Sequence, residues 1–358
     1  MLTGILADKE STLIESMRFP LMVLVVFIHT IPEIKIQLPE NFSGSAIYIF
    51  VSESISHVIG QIAVPCFFIF SGYFFFLKSE QYNVCFFRKQ LSKRLKTVVI
   101  PYFLWNLLTV LITMSKVILF SVLQIDGNES NDIFSLSPYV IFWEWPINLP
   151  LWYLRDLICM FLLSPLFYMY FKNLKIYGLY MLILCYLLGL SIDIPSFSMT
   201  SILFFGLGAY TGIFKKSLLT FCRRCRYVCG MLTVILLCLS LYYNRDIHYE
   251  FLIRPFILCG IVTAINIVFV LNIESKKMTT LFCKLSSCVF FIYAIHEIYI
   301  INWTKGLFVR LFPQSNAYEL LVGYFSIPVI TLCICLLLYW TMKKSLPRVL
   351  AFMTGGRI

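Results

Sequence analysis

Charge is what this chain has least of. Only 13% of its 358 residues are Asp, Glu, Lys or Arg, about half the share of a soluble domain. Hydrophobic types make up 60% and aromatics 17%. This shortage excludes a soluble globular protein. It also removes nucleic acid as a partner, although the net charge is +11, because the cations sit in short clusters between apolar runs, where Lys and Arg fix membrane orientation. No stretch between the runs is long enough to fold alone, so residues 1–358 read as one polytopic membrane unit. No internal repeat or low-complexity tract is visible. The first 16 residues carry Asp8, Lys9, Glu10 and Glu15 and lack a small-residue cleavage site, so the first apolar run is expected to be its own insertion signal. Cysteine is plentiful but odd in number, 13, and on the topology below none lies in an outer loop, which excludes a disulfide framework. Cys222-Arg-Arg-Cys225 has C-x-x-C spacing without a second ligand pair. It reads as a basic juxtamembrane loop with incidental thiols, and no metal is expected.

What is present is a succession of ten apolar segments, each near the roughly 20 residues that span a bilayer: 17–34, 56–77, 98–123, 150–171, 176–192, 199–214, 227–243, 251–271, 285–303 and 319–341. The sixth contains Gly206, Gly208 and Gly212 and is expected to be tilted or irregular. With the N-terminus in the cytoplasm, 22 of the 29 basic residues fall inside. The outer loops collect Glu33, Glu40, Asp126, Glu129, Asp132, Glu144, Asp246 and Glu250. The expected fold is therefore all-α: a bundle of about ten transmembrane helices with both termini cytoplasmic.

Within this frame a few polar side chains are costly enough to need a reason. Arg18 and His29 bracket the first segment, MRFPLMVLVVFIHT. Eleven residues is close to three turns, so both lie on one helix face, roughly 16 Å apart. Pro32 helps stop that helix. His296 lies inside the ninth segment with Glu297 beside it. Ionisable groups at such depth face a bundle interior or cavity, and a neutral imidazole supported by a carboxylate can act as a general base toward an alcohol. Adjacent helical residues point about 100° apart, so Glu297 is not expected to partner His296. His57 and His248 read as solvated. The loop before the third segment is densely cationic, with Arg88, Lys89, Lys93, Arg94 and Lys96 ahead of Pro101; it fixes topology, or holds a phosphate-rich cofactor. In the fourth segment, Trp152 and Tyr153 suit an interfacial belt, while Arg155 and Asp156, being adjacent, are expected to diverge. Asn106, Lys116, Arg254 and Glu53 are weaker polar candidates.

Several stretches in order, namely Arg18 to His29, Val64–Phe75 (VPCFFIFSGYFF), Lys93–Trp105 (KRLKTVVIPYFLW), Leu149–Leu166, Phe204–Gly212 (FFGLGAYTG) and Cys288–Glu297 (CVFFIYAIHE), resemble the membrane acyltransferase-3 family, which includes bacterial sugar and polysaccharide O-acetyltransferases. The resemblance implies a ten-helix enzyme of the bacterial inner membrane. Such an enzyme takes an acyl group, most commonly acetyl, from cytoplasmic acyl-CoA and delivers it to a glycan or lipid-linked sugar hydroxyl. By the same analogy Arg18, Lys93, Arg94 and Lys96 hold CoA phosphates, His29, His296 and Glu297 carry the chemistry, and Trp152, Arg155, Asp156 and Tyr73 face the acceptor. One departure stands out: the family shows Arg-x-x-Arg before Ile-Pro-Tyr, and here Arg94 is followed three residues later by Thr97, with Lys93-x-x-Lys96 one residue earlier as a substitute in charge but without the bidentate fork of arginine. The competing readings are an exporter of polysaccharide or small solutes, for which no inverted repeat is found, and a membrane sensor or scaffold.

Overall fold

The computed structural model describes residues 2–31, 44–77, 82–123, 136–190, 192, 194–243, 246, 248–313 and 316–357, with side chains from Glu10 and, after the first gap, from Ala46. Pro32, Lys78 and the acids Glu33, Glu40, Asp126, Glu129 and Asp132 lie outside the described residues. All regular structure among the described residues is helical. In chain order the helices are α1 (Leu2–Ile28), α2 (Gly44–Ser52), α3 (Ala63–Phe76), α4 (Val84–Arg94), α5 (Ile100–Val122), α6 (Trp152–Leu162), α7 (Ser164–Leu187), α8 (Met199–Ile213), α9 (Leu218–Arg224), α10 (Arg226–Tyr242), α11 (Tyr249–Glu274), α12 (Lys276–Ser286), α13 (Val289–Ile295), α14 (Ile301–Leu311), α15 (Ala317–Ser345) and α16 (Pro347–Met353). Wider π-type turns at Glu53–Val58, Leu95–Val99 and His296–Ile300 splice several of these together.

Helix starts follow local chemistry. Asn83, Ser198, Ser217 and Ser275 each cap a first turn by accepting a backbone N–H, and Asn316 with Glu319 forms a reciprocal capping box at α15. Pro101 sits in the first turn of α5, where its missing N–H costs nothing. Among the described residues, five helical runs are long and apolar enough to cross a bilayer, and three bent pairs raise the number to eight. Leu107, Leu111, Ile118 and Leu119 on α5, and Val329, Leu337 and Trp340 on α15, are exposed. Apolar flanks this extensive belong against lipid rather than water.

The separation of the fourth and fifth segments holds in the structure, and the irregularity expected of the sixth does not. The fourth and fifth segments are one helix, α7, only nominally. Lys175 breaks it with φ +49°, and Tyr170 donates to the Gly178 carbonyl at 2.9 Å. Eight residues of straight helix would hold those groups about 12 Å apart, so the chain folds back there. The glycine-rich sixth segment, expected to be irregular, is the uninterrupted helix α8. Its glycines serve packing: a Cβ at Gly208 would stand 2.1 Å from the Ile69 carbonyl oxygen, and one at Gly72 would stand 2.3 Å from that of Phe205. Helices α3 and α8 thus touch backbone to backbone, as small residues allow in membranes.

Helix α1 runs through the middle and packs against α3, α11, α12, α13 and α15. Its core face includes Leu13, Met17, Leu21 and Met22. A Gly208→Ala substitution is expected to destabilise the bundle by about 1–3 kcal/mol through overpacking. Gly230→Ala, inside α10 where an added Cβ meets nothing within 4 Å, should leave stability unchanged or raise it by up to about 1 kcal/mol; thermal unfolding of the detergent-purified protein reads both.

Candidate active site

Three arginines distant in sequence meet at the basic end of α1. Arg18, Arg94 and Arg357 line a cavity of about 420 Å³ together with Lys93, Gln90, Ser71 and Glu15. Arg94 lies over the rings of Phe161 (5.0 Å) and Phe75 (5.8 Å), and its Nε has no partner. No described carboxylate forms an ion pair with any of the three. Burial, and then the like charges of Arg18 and Arg94, pull the Arg357 guanidinium below its ordinary range. Four cations facing a single acid, Glu15, with no ion pair among them, suit an anionic ligand.

A second cavity of about 160 Å³ shares Arg18, Phe67, Ser71, Val98, Leu157 and Arg357 with the first and continues past Met22, Val25, Tyr153 and Tyr293. Met22 and Val25 follow Arg18 by four and seven residues, the helical repeat, and the same face reaches His29 at eleven. The wall is mostly apolar, with the Ser71 and Tyr153 hydroxyls 3.2 Å apart.

At the far end of that face His29 meets the helix unwound at His296–Ile300. Its Nδ1 is 3.5 Å from Glu297 Oε1, and its ring centroid is 5.2 Å from that of His296. Glu297 is therefore the partner of His29 and not of its sequence neighbour, as the helical angle implies. His296 is wholly buried. Its Nδ1 faces the carbonyl oxygens of Tyr293 (2.9 Å) and Ile292 (3.1 Å). Carbonyls only accept, so Nδ1 carries the proton and Nε2 presents a lone pair, which has no partner; neither has Glu297 Oε2. Lys305 donates to the His29 carbonyl at 2.5 Å, placing a cation at the C-terminal end of α1 where the helix dipole favours it. One ligand atom each of His29, His296 and Glu297 lies within 4.8 Å of the others. A zinc ion with bonds of about 2.1 Å would draw them to roughly 3.4 Å apart, so metal binding would require the group to contract, whereas proton transfer would not.

Beyond Glu297 a third cavity, about 200 Å³, is lined by Thr109, Thr113, Asn148, Tyr299 and Asn302. Here the helix is unwound: Ile298 has ψ +77° and Tyr299 φ +62°, a left-handed setting costly for a tyrosine. Irregular backbone at membrane depth is tolerated where it lines a cavity. Asn148 is buried, donates to the Ala294 carbonyl at 2.9 Å and leaves Oδ1 unpartnered.

The other residues singled out from the sequence do not converge here. Lys96 is exposed and does not line the basic cavity. Arg155 and Asp156 do not diverge but pair at 3.0 Å. The arginine also donates to the carbonyls of Trp143 and Glu144, and Asp156 accepts from Ser198. Being adjacent does not prevent a long guanidinium from curling back, and the pair clamps the 143–144 loop to α8. Trp152 lines a separate cavity with Trp145 and Arg155. Tyr73 donates to buried Glu10 at 2.6 Å, alongside Ser217 and the Leu219 N–H, a clamp between α1, α3 and α9. His57 is not solvated; its Nδ1 is 3.0 Å from buried Glu53. His248 is exposed as expected. Asn106 accepts from the Asn148 N–H, Lys116 lies over the Tyr299 ring, and Arg254 pairs with Glu250. Sequence reasoning missed Arg357, Asn148, Lys305 and Tyr299. None shares a spacing with the other site residues, and only the apolar setting of Lys305 hinted at a role.

A family model described as an acyltransferase domain, of the acyltransferase-3 type, matches residues 13–340. No curated protein and no solved structure matches the chain.

Asp156→Ala is expected to leave Arg155 half-buried without its carboxylate. That should lower stability by about 3 kcal/mol, measured as the thermal midpoint of the purified protein, with Ser198→Ala costing less.

Proposed function

The chain belongs to the acyltransferase-3 family, and from that premise we propose that it moves an acyl group from cytoplasmic acyl-CoA to a hydroxyl of a cell-surface glycan or its lipid-linked precursor. The observation that carries this reading is one face of α1. Arg18, Met22 and Val25 border connected cavities, and the same face ends on a histidine–carboxylate pair whose carboxylate borders a further cavity on the other side. On this reading the enzyme is a multi-pass protein of the bacterial inner membrane with ten spans and both termini cytoplasmic. The fold-back at Lys175 and the separate α10 favour that count.

CoA phosphates lie against Arg18 and Arg94, and the pantetheine arm runs through the apolar throat over Met22 and Val25. Glu297 accepts from Nδ1–H of His29 and so turns the His29 Nε2 lone pair toward the incoming alcohol. As Nε2 takes the hydroxyl proton, the alcohol oxygen attacks the thioester carbonyl carbon. Collapse of the tetrahedral intermediate breaks the C–S bond and leaves the new ester. The departing thiolate takes the proton from the imidazolium, so CoA leaves as the thiol and His29 returns neutral. The unpartnered His296 Nε2 accepts a hydrogen bond from the acceptor, and Asn148, Thr109 and Thr113 supply further contacts to a polyhydroxylated ligand.

Label transfer from radiolabelled acetyl-CoA to a panel of glycans, with the protein in lipid nanodiscs, tests this. His29→Ala should lower the rate by about 100-fold or more, and Glu297→Gln should lower it less. Equal transfer by wild type and His29→Ala would remove His29 from the mechanism, and glycan export that persists without acyl-CoA would favour an exporter instead. In the same preparation Arg94→Ala should weaken acyl-CoA binding, whereas Lys96→Ala should leave it unchanged.

A further inference from the structure

The segment after α16 is built with care. Trp105 Nε1 donates to the Met353 carbonyl at 2.9 Å. Thr354 is buried, and its hydroxyl lies 2.8 Å from the Leu350 carbonyl and 2.9 Å from that of Arg357. Gly355 and Gly356 then take left-handed backbone, φ +63° and +85°. A Cβ on Gly355 would stand 2.7 Å from both the α-carbon and the carbonyl oxygen of Thr97, so only glycine fits against that helix. The turn delivers Arg357 into the basic cavity, where Nη1 bonds the Thr354 carbonyl at 2.9 Å and the guanidinium lies over the Phe290 ring at 4.5 Å.

The place where this segment rests is informative. Thr97 follows Arg94 by three residues, inside the wider turn Leu95–Val99, and does not itself line the cavity. Its hydroxyl folds back onto the Lys93 carbonyl and brings no charge to the cavity. Arg357 brings that charge from elsewhere in the chain. Glu15 is the one acid on the cavity wall and forms no ion pair with the three guanidiniums, so each retains donors for a ligand. A planar fork of donors matches a phosphate better than an ammonium does.

We propose that residues 354–357 form a phosphate subsite in cis, in which Arg357 supplies the third guanidinium of the acyl-CoA cavity at the position Thr97 leaves uncharged. The inference rests on the acyl-CoA reading above. The ligand group is a phosphate of the nucleotide end of CoA, held between Arg18, Arg94 and Arg357. The glycine pair acts as the strap that sets the arginine in place.

The test is CoA binding to the purified full chain by calorimetry, with the thermal midpoint recorded for each variant. Arg357→Ala should weaken CoA roughly tenfold or more, and Arg357→Lys should weaken it less. Adding Thr97→Arg to Arg357→Ala should restore most of the loss. Gly355→Ala, which keeps the arginine but displaces the strap, should weaken binding as Arg357→Ala does. Wild-type affinity in Arg357→Ala, or a lowered thermal midpoint with unchanged affinity, would make the segment a structural peg and overturn the proposal. Lost affinity that Thr97→Arg does not restore would overturn the substitution for position 97. If wild type itself fails to bind CoA, the acyl-CoA reading falls and takes the subsite with it, a result distinct from the others.

Discussion

A polar side chain inside a bilayer has no water to turn to, so protein must pair it or a wet path must reach it. This constraint sorts the buried polar groups of the chain into two kinds. Glu10 is saturated by Tyr73, Ser217 and a backbone N–H, and Asp156 by Arg155 and Ser198. Both hold helices together. Apart from three serine hydroxyls, the unpartnered atoms are Arg94 Nε, Asn148 Oδ1, His296 Nε2 and Glu297 Oε2. Arg94 lines the basic cavity, Asn148 and Glu297 line the cavity of Thr109 and Tyr299, and His296 sits beside His29. Among the described residues, four of the seven such atoms thus lie on the route that the proposed function would use, and the other three are serine hydroxyls.

The remaining architecture supports that route. Helices α3 and α8, locked through Gly72 and Gly208, form one firm wall. Helix α1 contributes the face that joins the two ends, and its last carbonyls are held by Lys305. Glu297 follows His296 on helical backbone and so faces His29, and the chain unwinds only after it, at Ile298 and Tyr299. The fixed ring of His296 and the acid-backed ring of His29 are thereby given different jobs by different neighbours, although both are imidazoles at the same depth.

Much of this was legible in the residues. Apolar runs between basic loops predicted a helical membrane protein, and the eleven-residue interval from Arg18 to His29 predicted their shared face because helical periodicity is a local property. That Glu297 would not serve His296 followed from the same geometry. What was not legible depended on distance in sequence or on reach. Arg357 meets Arg18 across more than three hundred positions, and no pattern announces it. Arg155 could curl onto Asp156 because its side chain is long, which a rule about helix angles does not see. The glycines of α8 were read as weakness in a helix, whereas their missing side chains are used by the neighbouring backbone. Thr97 was visible as a departure from the family, but only the folded chain shows what rests on it.

The turn at Ile298 and Tyr299 has a mechanical corollary. A bundle in which two helices touch main chain to main chain has almost no compliance on that flank, since any sliding drives atoms into contact. A helix interrupted by one unwound turn is the softest joint available. Displacement of α14 relative to α13 is therefore concentrated at Ile298 and Tyr299, while the α3–α8 pair stays fixed.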